Sequence, residues 1–283
     1  MNIIKPINYK WMIFRWTIIL SLLVAIMLFM TQMPGSSYSG PFQSLDEAEQ
    51  KVRDRLVDHV NALALEIGER NVWRHPRLMA SAGYIEDSLT ELGYAVNRQE
   101  FEVHNVLVAN IEAELSPINQ TDKIIVVGAH YDTVLGSPGA NDNGTGVAAL
   151  LELARLLQGQ HFARTVRLVA FVNEEPPFFL TKDMGSRRYA MRSRQRGEKI
   201  TAMLSLETIG YYSDQKGSQN YPFPFGLFYP DTANFIAFVG NMGSRRLVRQ
   251  SIKSFRKHTK FPSEGTAAPG WLAGIGWSDH WSF

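Results

Sequence analysis

Two short apolar runs constrain the fold of this 283-residue chain more than any other feature. They are "IIVVGA" at residues 124–129 and "VRLVAFV" at residues 166–172. The two runs together contain one polar side chain, that of Arg167. Strands of this kind are buried on both faces of a sheet, and such sheets are mostly parallel with helices on either side. Helical and strand-like segments alternate along the chain, which is typical of α/β proteins. We therefore predict an α/β domain with a mostly parallel central sheet.

Caps, turn residues and periodicity predict the boundaries of the other elements. Ser44 and Glu47 have the spacing of a capping box, which predicts a helix from there to about Gly68. Later helices are predicted over residues 76–93, 144–157, 184–194 and 244–260, and strands over residues 95–103, 106–115, 123–130, 165–172 and 200–210. No internal repeat divides this region, so we expect one folded domain.

The N-terminus carries an apolar segment behind a basic flank. Lys5, Lys10 and Arg15 precede an uncharged run from Trp16 to Met30. At about 1.5 Å per residue this run falls short of a ~30 Å hydrocarbon core, but the apolar residues before Arg15 extend it to about twenty residues. The basic flank predicts that the N-terminal side stays cytoplasmic and that the rest of the chain is exported.

We therefore predict a cytoplasmic tail and signal anchor over residues 1–33, a linker over 34–43 and a folded domain over 44–283. Two other interpretations of the apolar segment stay open. One is a cleaved signal peptide, which would leave a secreted protein, although residues 37–40 make a poor cleavage site. The other is a buried core helix, against which the lysines before it and the linker after it argue.

The composition restricts the chemistry that the chain can perform. It contains no cysteine, which excludes disulfides and thiolate chemistry. A metal site would therefore have to use histidine and carboxylate ligands. The net charge of +2 gives no reason to expect a nucleic-acid partner.

Polar side chains that can bind a metal form four clusters along the sequence, the fourth of which groups Glu207 with His280. They are His130, Asp132, Asp142, Glu174, Glu175, Glu207 and His280. Taken singly, each has a structural explanation: a loop hydrogen bond, an Asx turn or helix cap, a solvated acid, or a structural histidine. Adjacent glutamates beside an apolar floor are harder to explain, because they repel each other and lose solvation unless a cation or a proton compensates.

Taken together, these side chains favour a metal site. Sites in α/β sheets form beyond the carboxyl ends of strands, where these residues are expected to lie. Two histidines and three carboxylates suit a borderline cation such as zinc. If Asp142 bridges two metals, each has three protein ligands and an open position for water.

The order of the motifs resembles the co-catalytic zinc aminopeptidases related to bacterial leucyl aminopeptidases, whose fold glutaminyl cyclases and glutamate carboxypeptidases share. The motifs are H-x-D, "NDNGTG", the glutamate pair, "LETIGY" and "SDHWSF", with "GSRRYA" after the pair. The resemblance extends from about Asn71 to the last residue. It implies a mixed sheet flanked by helices on both faces, with residues 44–283 as a zinc peptidase domain that follows the membrane segment.

The resemblance also implies two zinc ions and their ligands. One zinc would be held by His130, Asp142 and Glu207, and the other by Asp142, Glu175 and His280. The implied activity is that of an exopeptidase, which removes N-terminal residues from peptides with a free amino terminus.

Two further residues receive roles from the same resemblance. Glu174 is implied to be the general base, acting on a water molecule that the metals share. Asp132 is implied to orient His130 without binding metal. The domain would act on the non-cytoplasmic side of the membrane.

Two features depart from the family. Position 207 is Glu where most characterised relatives have Asp, so the longer side chain is expected to shift the metal or to lower its occupancy. Relatives continue past the position of His280 through another strand and a closing helix, so we expect this chain to be truncated at its C-terminus.

Two rival functions stay open. One is a glutaminyl cyclase, a single-zinc acyltransferase on the same fold, and the other is a non-catalytic receptor or scaffold. The basic helix predicted over residues 244–260 has two interpretations as well, contact with anionic lipid or a solvated surface.

Overall fold

A computed structural model describes residues 9–119 and 121–283. The predictions for residues 1–8, among them Lys5 of the basic flank, lie outside the described residues. The chain forms two compact units. The small unit joins the described residues up to Phe42 with Tyr212–Gly276, and the large unit consists of Gln43–Tyr211 with Trp277–Phe283.

The large unit is built on a five-stranded sheet with the strand order β1-β2-β4-β3-β5. Its strands are β1 (Val96–Val103), β2 (Val106–Leu115), β3 (Lys123–His130), β4 (Thr165–Phe171) and β5 (Lys199–Ser205). β2 pairs antiparallel with β1 and with β4, whereas β3 pairs parallel with β4 and with β5. The predicted mixed α/β sheet is confirmed. Its two parallel pairings lie on either side of β3, and its other two pairings are antiparallel, so parallel pairs do not predominate as the sequence predicted.

Helices cover both faces of this sheet. The α-helices of the large unit are α2 (Glu47–Asn61), α3 (His75–Glu91), α4 (Gly146–Leu157) and α5 (Gly185–Gln195), and those of the small unit are α1 (Tyr9–Thr31) and α6 (Arg245–His258). The alternation of side chains along β4 separates two cores: Leu168 and Ala170 belong to the main core with α3 and α4, whereas Phe171 packs with Tyr189 of α5. The two apolar runs are thus buried on both faces, as their sequence predicts.

The start of α2 corrects one prediction. The capping box is formed by Asp46 and Glu49, and not by Ser44 and Glu47. Asp46 Oδ1 accepts a hydrogen bond from the Glu49 backbone N–H at 2.8 Å, and Glu49 Oε2 accepts one from the Asp46 N–H at 2.9 Å. The spacing of a capping box occurs twice within six residues, and aspartate caps a helix at least as well as serine.

The small unit contains a second sheet that the sequence did not predict. Its strands β6 (Ile236–Asn241) and β7 (Ser263–Ala268) pair in parallel, and α6 packs on them through the buried side chains of Val248 and Ile252. β7 has the sequence "SEGTAA", which lacks the large branched residues that identify a strand. Its conformation comes from pairing and from packing under α6.

α1 matches the predicted membrane segment. It has 23 residues, which gives a length of about 35 Å at ~1.5 Å per residue. In the part of the chain that the structure describes, it is the one helix long and apolar enough to cross a membrane. Its length and composition fit a signal anchor and a signal peptide alike.

Candidate metal centre

Two carboxylates from different loops meet at His130, the last residue of β3. Its Nε2 lies 3.2 Å from Asp142 Oδ1 and 3.4 Å from Glu207 Oε1. Asp142 comes from the turn before α4, and Glu207 follows β5. Because β3 and β5 are parallel neighbours, their carboxyl ends lie at the same edge of the sheet, where α/β proteins place their sites.

The backbone conformation of Gly139 and the hydrogen bonds of Asn143 hold the loop that carries Asp142 in place. Gly139 has a positive φ of 59°, and a Cβ there would come within 2.5 Å of the Asp142 carbonyl oxygen. The buried side chain of Asn143 joins this loop to the one after β5: its Nδ2 donates to the Leu206 carbonyl at 2.8 Å, and its Oδ1 accepts from the Thr208 N–H at 3.1 Å. The sequence prediction did not identify Asn143 as a functional residue.

Asp132 supports the glutamate pair. Its Oδ1 accepts a hydrogen bond from the Glu174 N–H at 3.0 Å, and its Oδ2 accepts one from the Glu175 N–H at 3.1 Å. Its Oδ1 lies 3.6 Å from His130 Nδ1, which is longer than a hydrogen bond. This carboxylate therefore fixes the backbone of the two glutamates through hydrogen bonds, whereas it forms no hydrogen bond to the ring of His130.

The two glutamates occupy different positions in the site. Glu174 is buried, with Oε2 at 3.7 Å from His130 Nε2, and burial raises its pKa to about 9. Glu175 is half-buried, its Oε1 accepts a hydrogen bond from the Val134 N–H at 3.2 Å, and burial raises its pKa to about 7. Both carboxyl groups are thus in surroundings that favour their neutral form unless a cation is close.

The C-terminal segment contributes to the same edge. Ser278 Oγ donates to Glu207 Oε2 at 2.7 Å, and lies 2.8 Å from Ser205 Oγ. Asp279 is fully buried, burial raises its pKa to about 7, and neither of its carboxylate oxygens has a hydrogen-bond partner among the described residues. The sequence prediction named His280 in this segment and missed Asp279, although an acid beside a predicted ligand was a usable signal.

The donors around His130 fit a metal ion. Nε2 of His130 is buried and has no hydrogen-bond partner within the described part of the chain, although two carboxylates face it. Burial alone would lower the pKa of His130, but the neighbouring carboxylates, of which Glu207 contributes most, raise it well above its ordinary value. An unpaired imidazole nitrogen beside several acids is the arrangement that a divalent cation satisfies.

The structure brings together some predicted ligands and not others. The donor atoms of His130, Asp142 and Glu207 all lie within 4.8 Å of one another. In residues 9–119 and 121–283 this is the one such group of three, so Glu175 and His280 do not belong to a second group. Nitrogen and oxygen donors in this number suit zinc and leave further coordination positions open.

A buried arginine that the sequence prediction missed holds the surrounding loops. Arg70 is fully buried, and its guanidinium donates to the carbonyl oxygens of Tyr131, Pro138 and Gly139 at 2.6, 2.6 and 2.9 Å. Burial lowers its pKa to about 10, so it remains charged at neutral pH. Arg70 thereby ties the segment after β3 to the turn that precedes Asp142.

Replacing Arg70 with methionine is expected to lower the free energy of unfolding by roughly 3–5 kcal/mol. The reason is that several buried carbonyl oxygens lose their hydrogen-bond donor, and each unsatisfied oxygen costs about 1–3 kcal/mol. Urea denaturation followed by circular dichroism measures this change. Arg74→Met, at an arginine whose side chain is 61% exposed, is the matched control and should change stability by less than ~1 kcal/mol. Equal effects of the two variants would contradict the role given to Arg70.

Comparison with known proteins identifies the family of the chain. Residues 110–283 match peptidase family M28. The chain is 34% identical over 283 residues to the uncharacterised protein YfbL of Escherichia coli, covering 97% of this chain and 84% of that protein. The chain belongs to peptidase family M28.

Solved structures of the family share the fold. A zinc aminopeptidase from Bacillus subtilis, BSAP, superimposes with a TM-score of 0.64 at 16% identity over 81% of both chains. A glutaminyl cyclase from Bacteroides thetaiotaomicron superimposes with a TM-score of 0.55 at 17% identity, over 82% of this chain and 79% of that one. At these identities the likeness concerns the fold alone.

Named aminopeptidases also match, over parts of their length. The chain spans 20% of aminopeptidase YwaD of Bacillus subtilis, with which it shares 50% identity over 99 residues. It spans 49% of a leucine aminopeptidase of Arthroderma otae. Membership of M28 thus supports a zinc-dependent hydrolase that acts on peptides, and the predicted family is confirmed.

Proposed function

We propose that this chain is a zinc aminopeptidase, a zinc-dependent exopeptidase that removes residues from the free amino terminus of peptides. The observation that carries the proposal is the unpaired Nε2 of His130, which faces Asp142 and Glu207. Membership of M28 supplies the reaction class. The side chain of Asp142 is 52% exposed and that of Glu207 is 25% exposed, so a substrate can approach the donors from solvent.

His130, Asp142 and Glu207 would hold one zinc ion. Bound zinc would supply Lewis acidity, which makes water a better nucleophile at neutral pH and the scissile carbonyl more electrophilic. Asp142, Glu175 and His280 would hold a second zinc ion, as the resemblance implies.

Glu174 would act as the general base. Its carboxyl group lies beside the donors without belonging to the group of three, so it is available to take a proton from the attacking water and return it to the leaving amine. Without a cation, burial keeps the pKa of Glu174 near 9. A divalent cation nearby would favour the ionised form and lower the pKa toward the range in which a base works.

Asp132 would be a positioning residue. Its carboxylate accepts hydrogen bonds from the backbone N–H groups of Glu174 and Glu175. It therefore fixes the peptide bond between the proposed base, Glu174, and the proposed ligand, Glu175. Asp132 would also orient His130, as the resemblance implies, since its backbone carbonyl oxygen lies 3.2 Å from Nδ1 and its carboxylate lies 3.6 Å away.

We also propose that α1 anchors the enzyme in the membrane, with the peptidase on the non-cytoplasmic side. The length of α1 and its apolar composition support this arrangement. The basic residues Lys5, Lys10 and Arg15, which precede the uncharged run from Trp16 to Met30, favour a cytoplasmic N-terminus. Cleavage of the segment as a signal peptide, which would give a secreted enzyme, is the alternative.

A glutaminyl cyclase is the second candidate function. Within the described residues there is one group of three donors, which is the number that a single zinc ion requires. The fold of the Bacteroides thetaiotaomicron cyclase is similar as well. Such an enzyme would cyclise an N-terminal glutamine and release ammonia, without adding water.

The purified full chain is expected to release the chromophore from aminoacyl-nitroanilides and to form no pyroglutamate from peptides that begin with glutamine. A chelator should abolish the activity, and added zinc should restore it. The same chelator loaded with zinc in advance is the control for effects of the chelator itself. Pyroglutamate formation without nitroanilide cleavage would contradict the aminopeptidase proposal and support the glutaminyl cyclase. Activity that resists the chelator would refute both proposals.

A further inference from the structure

Positive charge is concentrated in the small unit, on α6. Residues 212–276 contain eight Lys or Arg and three Asp or Glu, whereas the whole chain is nearly balanced at 29 against 27. α6 has the sequence "RRLVRQSIKSFRKH" and contains no acidic residue. This charge has no part in the proposed catalysis, whose residues all belong to the large unit.

One side of α6 holds the small unit together. Val248 and Ile252 are buried, and the ring of Phe255 packs on Phe238 of β6 with a centroid separation of 5.3 Å. This apolar side fixes the orientation of the helix, and therefore fixes which residues face outward.

A second side of α6 binds the end of the apolar helix α1. Its arginines, the inner stripe, are Arg245, Arg249 and Arg256. Arg245 Nε donates to the Phe29 carbonyl at 2.9 Å, with its guanidinium 3.9 Å from the Phe29 ring centroid. Arg249 donates to the Gln32 carbonyl, and Arg256 donates to the Pro34 and Gly35 carbonyls at 3.1 and 3.0 Å. The C-terminal carbonyls of a helix attract cations, so these contacts fix α6 beside the point where α1 ends.

A third side of α6 is exposed and carries the outer stripe, which consists of Arg246, Lys253 and Lys257. With Gln250, these residues have the spacing of one helix face and all are exposed to solvent. None of the three cations forms an ion pair within the described residues; the ion pair of α6 there joins Arg256 of the inner stripe to Glu264 at 4.0 Å. The outer stripe is therefore an unneutralised row of positive charge.

We infer that the outer stripe binds the anionic phospholipid headgroups of the membrane in which α1 is anchored. α1 would leave the hydrocarbon core near Thr31, and the inner stripe binds carbonyls from Phe29 to Gly35. The outer stripe consequently lies at the depth of the phosphate groups, where each cation is attracted to an anionic surface. The inference rests on the proposed anchoring by α1 and is independent of the proposed catalysis.

A single fluorescent label can report this contact, because the chain contains no cysteine. Gln250→Cys is labelled on the full chain, which is placed in nanodiscs of phosphatidylcholine with or without phosphatidylglycerol, with a quencher on a lipid headgroup. We expect strong quenching in the anionic discs and weak quenching in the neutral ones. Raising the salt concentration should reduce the difference, because salt screens charges at a surface.

Substitution of the outer stripe tests the cause. In Arg246→Gln/Lys253→Gln/Lys257→Gln, the ratio of contacted to free label in anionic discs should fall by about fivefold for each cation removed. The matched control, Lys51→Gln/Arg53→Gln/Arg55→Gln, removes three exposed cations from α2 and should leave the ratio unchanged. Thermal unfolding of both variants verifies that they fold.

Flotation separates the two possible failures. If the full chain does not float with neutral vesicles after a wash at high salt, α1 is not an anchor and the lipid contact falls with it. If the chain floats but the quenching is equal in neutral and anionic discs, or is unchanged by the triple substitution of the outer stripe, the anchoring stands and the lipid contact is refuted.

Discussion

Replacing Glu174 with glutamine is expected to lower kcat by about 10²–10⁴-fold, the contribution of a positioned general base. Glutamine has nearly the same shape and keeps the backbone N–H that Asp132 accepts, so the surrounding structure should persist. It cannot take a proton from water at neutral pH. Zinc content and KM should stay close to those of the unsubstituted enzyme, because Glu174 is not in the group of three donors.

The pattern of the kinetic constants distinguishes this role from others. A fall in kcat with an unchanged KM indicates an interaction made in the transition state, whereas loss of zinc would indicate a ligand. Glu100→Gln, at an exposed glutamate of β1, is the control for the chemical change. Full activity of Glu174→Gln would remove Glu174 from the mechanism, and parallel loss of zinc and activity would make it a ligand.

The sequence predicted the parts of the site that depend on strand ends. A buried strand must end where its polar side chains begin, so "KIIVVGAH" indicates both the strand and the position of His130. Because β3 and β5 are parallel, Glu207 then lies near His130 without any knowledge of the loops. The same argument applies to Glu174, which follows β4 on the other side of β3.

The parts that escaped prediction depend on contacts between distant segments. Asn143 and Arg70 act by binding backbone carbonyls 63 and 61 residues away, Leu206 and Tyr131, and no local pattern indicates such a pairing. β7 is a strand because it pairs with β6 and packs under α6, since its own residues have low strand propensity. Local signals predicted the edge of the sheet that holds the site, and tertiary contacts decided how its loops are fixed.

Replacing His130 with glutamine is expected to remove the zinc ion held by His130, Asp142 and Glu207. The affinity for that ion should fall by more than the roughly 10–100-fold that loss of a supporting partner alone typically causes. Glutamine is a poor zinc ligand, and His130 is the member of the group whose nitrogen faces both carboxylates. Metal analysis after dialysis measures the zinc content, without the need for a substrate. His161→Gln, at an exposed histidine, should retain the zinc of the unsubstituted protein.

Stability with and without zinc gives a sharper form of the same test. A ligand that binds the native state alone stabilises it, by about 2.7 kcal/mol when free zinc is 100-fold above its dissociation constant.

The substitution itself will change the stability of the zinc-free protein, because it alters a buried residue. That change cancels when the increment due to zinc is compared within each protein. The unsubstituted chain and His161→Gln should both gain the full increment, and His130→Gln should lose the part that the zinc ion held by His130, Asp142 and Glu207 supplies. If His130→Gln gained the full increment, the metal would have to bind elsewhere, and the unpaired Nε2 would need another explanation.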